Sequence, residues 1–333
     1  MNLDFTHTAF LFPGQGSQSV GMGRELASHY EAARTTFEEA NEILGFDLAR
    51  LMWDGPEGEL NDTLNTQPAL YVHSIAAQRL LSRLLPDPSA GLRRERSGER
   101  SGRGLQPVFC AGHSLGELSA LTVAGALSFD AGLRLVRRRG ELMKRAGELA
   151  PGGMAAILGL EIQALEAVCA QASSPEEVVQ VANDNCPGQV VLSGARPALE
   201  RALELAKAAG ARRAVLLAVS IAAHSPLMAS IQAEWDAAVA AAPMADAAVP
   251  VVGNVTAEPM TRAAEFRADL RAQLTCRVRW TETIQFMLAQ GVTTFLELGS
   301  GNVLTGLLKR IDESPARWAL GTPEDLEKFM LSS

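Results

Sequence analysis

Residues 107–127 of this 333-residue chain read PVFCAGHSLGELSALTVAGAL, a stretch that predicts a strand, a tight turn and a helix in direct succession. The apolar run 107–111 has the length and composition of a buried central strand. Residues 112–116 match the G-x-S-x-G pattern of a nucleophile elbow, in which a sharp strand-to-helix turn exposes a serine hydroxyl. We therefore predict Ser114 as a nucleophile at a helix N-terminus, where free N–H groups favour developing negative charge. The alternative is that Ser114 only caps the helix.

The segments around this elbow predict an α/β fold with a mostly parallel sheet. Residues 8–12 form a short apolar run that ends at a Pro-Gly turn, as a buried strand does. VPVVGNV (249–255) and TTFLELG (293–299) are two further strand patterns, and helical patterns lie between and after them. We expect residues 1–149 and 218–333 to form one large domain that is similar to the α/β-hydrolases.

The middle of the chain has a different pattern. Residues 150–217 give strand and helix patterns in the order β-α-β-β-α-β, which predicts an inserted, small ferredoxin-like α+β domain. Residues 86–106, PDPSAGLRRERSGERSGRGLQ, are rich in Pro, Gly, Ser and Arg and have no hydrophobic period. We predict a flexible surface loop there, with an arginine docking patch as the alternative.

Composition and charge exclude several classes of protein. The 38 acidic residues outnumber the 30 basic ones, which argues against a nucleic-acid binder because a phosphate backbone attracts clustered Lys and Arg. No apolar run reaches the ~18 residues of a membrane-spanning helix, and the N-terminus lacks the pattern of a signal peptide. The widely spaced cysteines contain no CxxC pair, so we expect no metal site and no disulfides, and we predict a cytoplasmic protein. These cysteines are Cys110, Cys169, Cys186 and Cys276.

A serine nucleophile needs a base, and His224 is the histidine that the sequence favours. It stands in SIAAHSPLM (220–228), between small residues and before a proline, as in a tight turn after a strand. A purely structural histidine is the alternative. No acid stands out as a third triad member, so we expect a carbonyl oxygen to orient the imidazole. Oxyanion donors are expected from the N–H of Leu115 and from the glycine-rich turn FPGQGSQ (12–18).

The charge of Arg139 is unusual because of where it lies on its helix. On a helical wheel over residues 130–146, Arg139 falls inside the apolar arc, whereas Arg134, Arg137 and Arg138 fall outside it or at its edge and are expected to face water. A guanidinium in a core requires an anionic partner. Two readings remain open: a structural salt bridge to a buried Asp or Glu, or a site for a carboxylated substrate.

Together these motifs resemble those of the malonyl-CoA:acyl carrier protein transacylases and of the acyltransferase domains of fatty acid and polyketide synthases. The matching stretches follow the order of that family over nearly the whole chain. They are FPGQGSQSVGMG (12–23), NTQPAL (65–70), GHSLGELSALTVAGALSF (112–129), RLVRRRGELM (134–143), NDNCPGQVVLSG (183–194), SIAAHSPLM (220–228), QLTCRVRW (273–280) and ELGSGNVLTGLLKRI (297–311).

The resemblance implies a role for each residue of a catalytic site. Ser114 would be the acylated nucleophile and His224 its general base, with the main-chain carbonyl of Gln273 orienting the imidazole. The backbone N–H groups of Gln15 and Leu115 would form the oxyanion hole.

The resemblance also implies the substrate and the partner. Arg139 would hold the malonyl carboxylate, and Gln67 and His113 would line the acyl pocket. The expected reaction transfers malonyl from malonyl-CoA to an acyl carrier protein, for fatty acid or polyketide synthesis, and uses no cofactor. Three alternatives remain: an acyl hydrolase of the same fold, a generic α/β-hydrolase esterase, and a non-catalytic module that binds carrier proteins.

Four features depart from the family pattern. Residues 86–106 form a longer and more Arg-rich segment than expected, Ser300 and Cys276 stand where prolines are common, and Ala223 precedes His224 where serine or phenylalanine is more usual. Because Ala223 is expected to border the acyl pocket, it bears on the side chains that the pocket tolerates at C2 of the acyl group.

Overall fold

Ten strands and fourteen α-helices are present in the residues that the computed structural model describes, 4–85 and 106–332. The strands are β1 (Thr8–Phe12), β2 (Phe109–Gly112), β3 (Gly152–Leu158), β4 (Val179–Cys186), β5 (Gln189–Ala195), β6 (Arg213–Leu216), β7 (Val251–Val252), β8 (Pro259–Met260), β9 (Thr294–Leu298) and β10 (Ala316–Leu320). The helices are α1 (Arg24–His29), α2 (Glu31–Leu44), α3 (Leu48–Asp54), α4 (Glu57–Leu60), α5 (Thr63–Leu84), α6 (Gly116–Val123), α7 (Phe129–Leu149), α8 (Ile162–Ala172), α9 (Arg196–Ala208), α10 (Gln232–Ala241), α11 (Ala263–Gln273), α12 (Trp280–Ala289), α13 (Val303–Ile311) and α14 (Pro323–Ser332).

The larger sheet has the strand order β10-β9-β1-β2-β7-β8. Its pairings are parallel except for the one between β7 and β8. In the pairing of β1 with β2, Phe12 lies opposite Gly112, so the turns that follow these two strands are neighbours. The prediction of an α/β fold with a mostly parallel sheet is confirmed, and the carboxyl ends of β1 and β2 are where a ligand site is expected.

Helices cover both faces of this sheet. Phe10 and Phe12 of β1 pack with residues of α5 and α7 on one face. Ala9 and Leu11 point to the other face and pack with residues of α12 and α13. Because both faces are covered, every residue of β1 is buried and its sequence, TAFLF, is almost continuously apolar rather than alternating.

The smaller sheet has the order β4-β5-β3-β6 with antiparallel pairing throughout. Helices α8 and α9 pack on it around their own core, which includes Leu165, Leu192 and Leu199. The element order β-α-β-β-α-β with this strand order is the ferredoxin-like arrangement, so that prediction is confirmed. The sheet spans Gly152–Leu216. The domain limits at 150 and 217 stay predictions.

Helix α5 begins earlier than its sequence suggests. The pattern around Gln67 predicts a helix that opens there, with Pro68 near its start, but α5 begins at Thr63 and contains Pro68. A proline inside a helix leaves the carbonyl four residues earlier without its helical donor. Arg137 Nη1 donates to that carbonyl, Leu64 O, over 2.9 Å. The expectation that Arg137 faces water is therefore wrong, because its side chain is only 25% exposed.

Strand β10 was not expected, since the sequence predicted only helices after 293–299. Most residues of β10 are partly exposed, so its sequence lacks the apolar pattern of a buried strand.

The loop predicted at 86–106 lies, except for residue 106, outside the described residues. Within the described ranges, no helix combines the length and the apolar character needed to cross a membrane.

Candidate active site

Ser114 lies at the sharp turn between β2 and α6, with a φ of 53°. The turn is possible because of the glycines that flank it. A Cβ at Gly112 would lie 1.9 Å from the carbonyl carbon of Gly116, and a Cβ at Gly116 would lie 2.1 Å from Phe12 O. A side chain at either position would clash with backbone atoms, so both flanking positions of G-x-S-x-G require glycine.

Asn254 holds the elbow from the opposite side, and sequence reasoning missed it. Its Oδ1 accepts the Ser114 N–H over 2.7 Å, and its Nδ2 donates to Gly112 O over 2.7 Å. The side chain is buried. This amide therefore satisfies two polar groups of a strained turn at once. Its position three residues after Val251 offered a signal, since ligand-contacting residues follow the strands of parallel sheets.

His224 and Gln273 complete a chain of hydrogen bonds from Ser114. The Ser114 Oγ lies 2.8 Å from His224 Nε2, and His224 Nδ1 lies 2.8 Å from the main-chain oxygen of Gln273. Because a carbonyl only accepts, Nδ1 carries the proton and Nε2 is free to accept the serine proton. Gln180 Nε2 donates to His224 O over 2.7 Å and so holds the backbone of His224 at its positive φ of 57°.

His224 is set up to act as a neutral base. Burial lowers the pKa of His224 to about 3, and the nearby Arg139 charge contributes in the same direction. The Gln273 carbonyl opposes this shift by accepting the Nδ1 proton. The imidazole is therefore unprotonated over the whole neutral range, as a proton acceptor for Ser114 must be.

This pKa predicts an unusual pH dependence of serine acylation. We expect the rate of Ser114 acylation to stay nearly constant from about pH 7 to about pH 5, where a histidine of ordinary pKa would slow it about twenty-five-fold. Rapid-quench measurement of the acyl-enzyme burst at each pH checks this. Circular dichroism serves as the control for unfolding. Below pH 6.5, the ordinary pKa of histidine, the unfolded chain binds a proton at His224 and the folded protein does not, so the free energy of unfolding decreases as pH falls. An inflection near pH 6.5 in the plot of burst rate against pH contradicts the prediction.

The two predicted oxyanion donors follow neighbouring strands. Leu115 comes directly after the serine, and Gln15 lies in the turn after β1. That turn contacts the elbow closely, since a Cβ at Gly14 would lie 2.5 Å from His113 O. Among the described residues, the N–H groups of Gln15 and Leu115 donate no hydrogen bond to the protein. Both donors are thus available to a ligand at this edge of the sheet.

Arg139 reaches the serine from α7. Its Nη2 donates to Ser114 Oγ over 3.1 Å and to Gln273 Oε1 over 2.8 Å, and its Nη1 donates to Gln67 Oε1 over 2.8 Å. The side chain is 2% exposed. It forms no ion pair with any described Asp or Glu, and Nε–H has no described partner. A structural salt bridge is therefore not the reason for this buried charge.

The charge on Arg139 persists despite burial. Burial lowers the pKa of Arg139 to about 10. The guanidinium stays protonated at neutral pH, surrounded by neutral hydrogen-bond acceptors. Such an uncompensated buried cation favours an anionic ligand beside Ser114.

The remaining predicted residues lie around this centre. Gln67 Nε2 donates to Thr63 Oγ1 over 3.0 Å, and Thr63 Oγ1 donates to Gln15 Oε1 over 2.9 Å, so α5 connects the Gln15 side chain to Arg139. The His113 ring instead faces Asn185 Oδ1, 2.8 Å away, and is not bonded to the other predicted residues. The structure thus brings Ser114, His224, Gln273, Arg139 and Gln67 into one network of hydrogen bonds.

Comparison with known proteins identifies the family. The model of the acyl transferase domain matches residues 9–91 and 99–319. The chain belongs to the acyl transferase family. A malonyl CoA-acyl carrier protein transacylase of Bacillus subtilis is 43% identical over 319 residues, which cover 96% of this chain and 95% of the relative.

Solved structures of the family superpose closely on this acyl transferase. A malonyl-CoA:acyl carrier protein transacylase from Xanthomonas oryzae is 42% identical, with a TM-score of 0.89 and 98% of each chain covered. A malonyl-transacylase solved in complex with its type II polyketide synthase acyl-carrier protein is 38% identical, also with a TM-score of 0.89, and covers 98% of this chain and all of its own.

The departures from the family pattern are accommodated in this acyl transferase. Ser300 Oγ donates to Ser17 O over 2.6 Å and so ties the turn after β9 to the turn after β1. Cys276 is a free thiol, as are the other three cysteines.

No group of three or more His, Cys, Asp or Glu side chains within residues 4–85 and 106–332 has the arrangement of a metal site.

Proposed function

We propose that this acyl transferase moves the malonyl group of malonyl-CoA to the phosphopantetheine thiol of an acyl carrier protein, by a ping-pong mechanism through a malonyl ester of Ser114. The activity is that of an [acyl-carrier-protein] S-malonyltransferase. The names of the relatives support this substrate and this acceptor, and so does the relative that was solved with its carrier protein. The reaction needs no bound cofactor.

One observation carries the choice of a malonyl group. The guanidinium of Arg139 contacts the Ser114 Oγ yet has no counter-ion among the described residues. In a malonyl ester on Oγ, the free carboxylate is one methylene away from the ester carbon, within reach of that guanidinium. An acetyl ester would leave the cation buried and unpaired, and this penalty selects against it.

The first half-reaction acylates the serine. His224 Nε2 accepts the proton of Ser114 Oγ while Oγ bonds to the thioester carbon of malonyl-CoA. The oxyanion then receives hydrogen bonds from the N–H groups of Gln15 and Leu115, each donor contributing about 3 kcal/mol in comparable sites. When the carbon–sulfur bond breaks, His224 returns its proton to the departing sulfur, and malonyl-Ser114 remains.

The second half-reaction runs the same chemistry in reverse. The phosphopantetheine thiol of the carrier protein gives its proton to His224 and its sulfur bonds to the ester carbon. The bond between that carbon and Ser114 Oγ breaks, and the proton passes from His224 to Oγ. The enzyme is regenerated and the malonyl group leaves as a thioester on the carrier protein.

The rival function is an acyl hydrolase of the same fold, in which water replaces the carrier thiol. The buried Arg139 argues against it, because a hydrolase that clears varied acyl chains has no use for a site that requires a carboxylate.

A cytoplasmic location fits the four free cysteines, since thiols stay reduced in that compartment.

The proposal is tested by comparing acyl donors on one carrier protein. We expect the kcat/KM for malonyl-CoA to exceed that for acetyl-CoA at least about a hundred-fold, because only malonyl pairs with Arg139. Methylmalonyl-CoA keeps the carboxylate and reports separately on the room beside Ala223. The acyl-enzyme formed without carrier protein should persist. Equal use of acetyl-CoA, or hydrolysis as fast as transfer, would overturn the proposal.

A further inference from the structure

Two buried carboxyl groups lie behind the site, and the proposed chemistry does not use them. Glu117 is on α6, one turn after Ser114, and Asp269 is on α11, one turn before Gln273. Glu117 is fully buried and Asp269 is 4% exposed. Neither forms an ion pair with a described Lys or Arg, so their burial needs another explanation.

Glu117 contacts the side chain of Gln273 directly. Gln273 Nε2 donates to Glu117 Oε2 and, over 3.0 Å, to Ser114 O. A carboxyl oxygen without a proton only accepts, so Glu117 requires the NH2 group of this amide on its side. The other end of the amide, Oε1, is thereby held towards Arg139 Nη2, from which it accepts over 2.8 Å.

The two buried carboxyl groups are neighbours and influence each other's ionisation. Two carboxyl groups that share a buried site do not both ionise readily, so one of them is expected to keep its proton. Glu117 Oε1 and Asp269 Oδ2 have no hydrogen-bond partner in the described part of the chain, so both are free to share that proton. Asp269 accepts the Val255 N–H over 3.2 Å, as an ionised carboxylate does. Burial raises the pKa of both carboxyl groups, and the neighbouring Asp269 raises that of Glu117 further, well above its usual range, which favours Glu117 as the protonated member of the pair.

We propose that Glu117 is a positioning residue for the substrate carboxylate: as a neutral carboxylic acid that donates to Asp269, it fixes the amide of Gln273 and, through that amide, the guanidinium of Arg139. The guanidinium keeps its free N–H groups for the ligand. This inference rests on the proposed malonyl transfer, because it concerns how that carboxylate is held.

Two substitutions of Glu117 separate this role from simple packing. Glutamine reproduces the neutral acid, since its NH2 donates to Asp269 and its oxygen accepts from Gln273, so we expect E117Q to keep wild-type kinetics. Methionine fills a similar volume without these hydrogen bonds. For E117M we expect the KM for malonyl-CoA to rise about ten- to hundred-fold, with kcat/KM for acetyl-CoA changed much less, because the Gln273 amide is free to flip.

Infrared spectroscopy provides a second readout that does not depend on E117M folding. At about pH 8 the wild-type protein should show the C=O stretch of a protonated carboxylic acid, and E117Q should lack it. The inference is overturned by absence of that band, by an unchanged malonyl-to-acetyl ratio in E117M, or by a loss in E117Q as large as in E117M. If wild-type enzyme transfers no malonyl, the proposed function fails, while the infrared band still tests the proton on Glu117.

Discussion

Replacing Ser114 with alanine should abolish malonyl transfer and leave no acyl-enzyme. The substitution removes the atom that bonds to the thioester carbon, and the remaining groups cannot form a covalent intermediate in its place. Loss of a serine nucleophile of this kind lowers kcat about a million-fold. The activity that remains comes from oxyanion stabilisation and substrate binding. Transfer assays with radiolabelled malonyl-CoA, together with intact-protein mass spectrometry, measure both quantities.

Ser119→Ala is a matched control for this substitution. Ser119 lies on α6, the helix that follows the Ser114 turn, and is buried with no hydrogen-bond partner for its hydroxyl in the described structure. Its replacement removes one oxygen atom from the same neighbourhood and should leave transfer unchanged. Acylation that persists in Ser114→Ala, on any other residue, contradicts the assignment of the nucleophile.

Replacing Arg139 with alanine should remove the preference for malonyl-CoA. In the wild-type protein the buried guanidinium has neutral partners only, so pairing with a carboxylate relieves an unpaired charge. Breaking such a buried pair costs about 3–5 kcal/mol, which is roughly a hundred- to thousand-fold or more in kcat/KM for malonyl-CoA. Acetyl transfer should be retained or raised, because the acetyl group no longer leaves a buried cation without a partner.

Arg134→Ala controls for the loss of an arginine from α7. Arg134 is 62% exposed and pairs with Asp130 one turn earlier, away from the network around Ser114. Its substitution changes the same net charge by the same amount and should leave the malonyl-to-acetyl ratio as in the wild type. An unchanged ratio in Arg139→Ala would refute a role for this guanidinium in choosing the substrate.

Local patterns made part of this site predictable from sequence. Ser114 was predictable because a nucleophile elbow needs two glycines at fixed spacing, and the close backbone contacts at Gly112 and Gly116 are the physical reason. Arg139 was predictable because one charge on an apolar helix face stands out in a chain with few charges. The two sheets followed in the same way from short apolar runs and the order of their elements.

Other parts of the site depend on contacts between distant segments. Asn254 and Ser114 are 140 residues apart in the chain, and Gln273 and Glu117 are 156 apart. No local period or spacing shows which distant residues pair, so Gln273 entered the sequence prediction only through the family resemblance. The position of Asn254 just after a strand was a signal that was not used, and Glu117 did not enter the prediction. Likewise, the helical position of Pro68 depends on a donor from α7, which the sequence of α5 alone does not contain.

Peptide mapping of the acyl-enzyme is the measurement that tests a malonyl-Ser114 intermediate most directly. The wild-type protein is mixed with malonyl-CoA, quenched and digested, and a second sample receives carrier protein bearing its phosphopantetheine thiol before the quench. We predict one malonyl group on the peptide that contains Ser114, and its transfer to the carrier protein in the second sample. A label on another residue, or malonyl-carrier product formed with no label on the enzyme, would contradict the account.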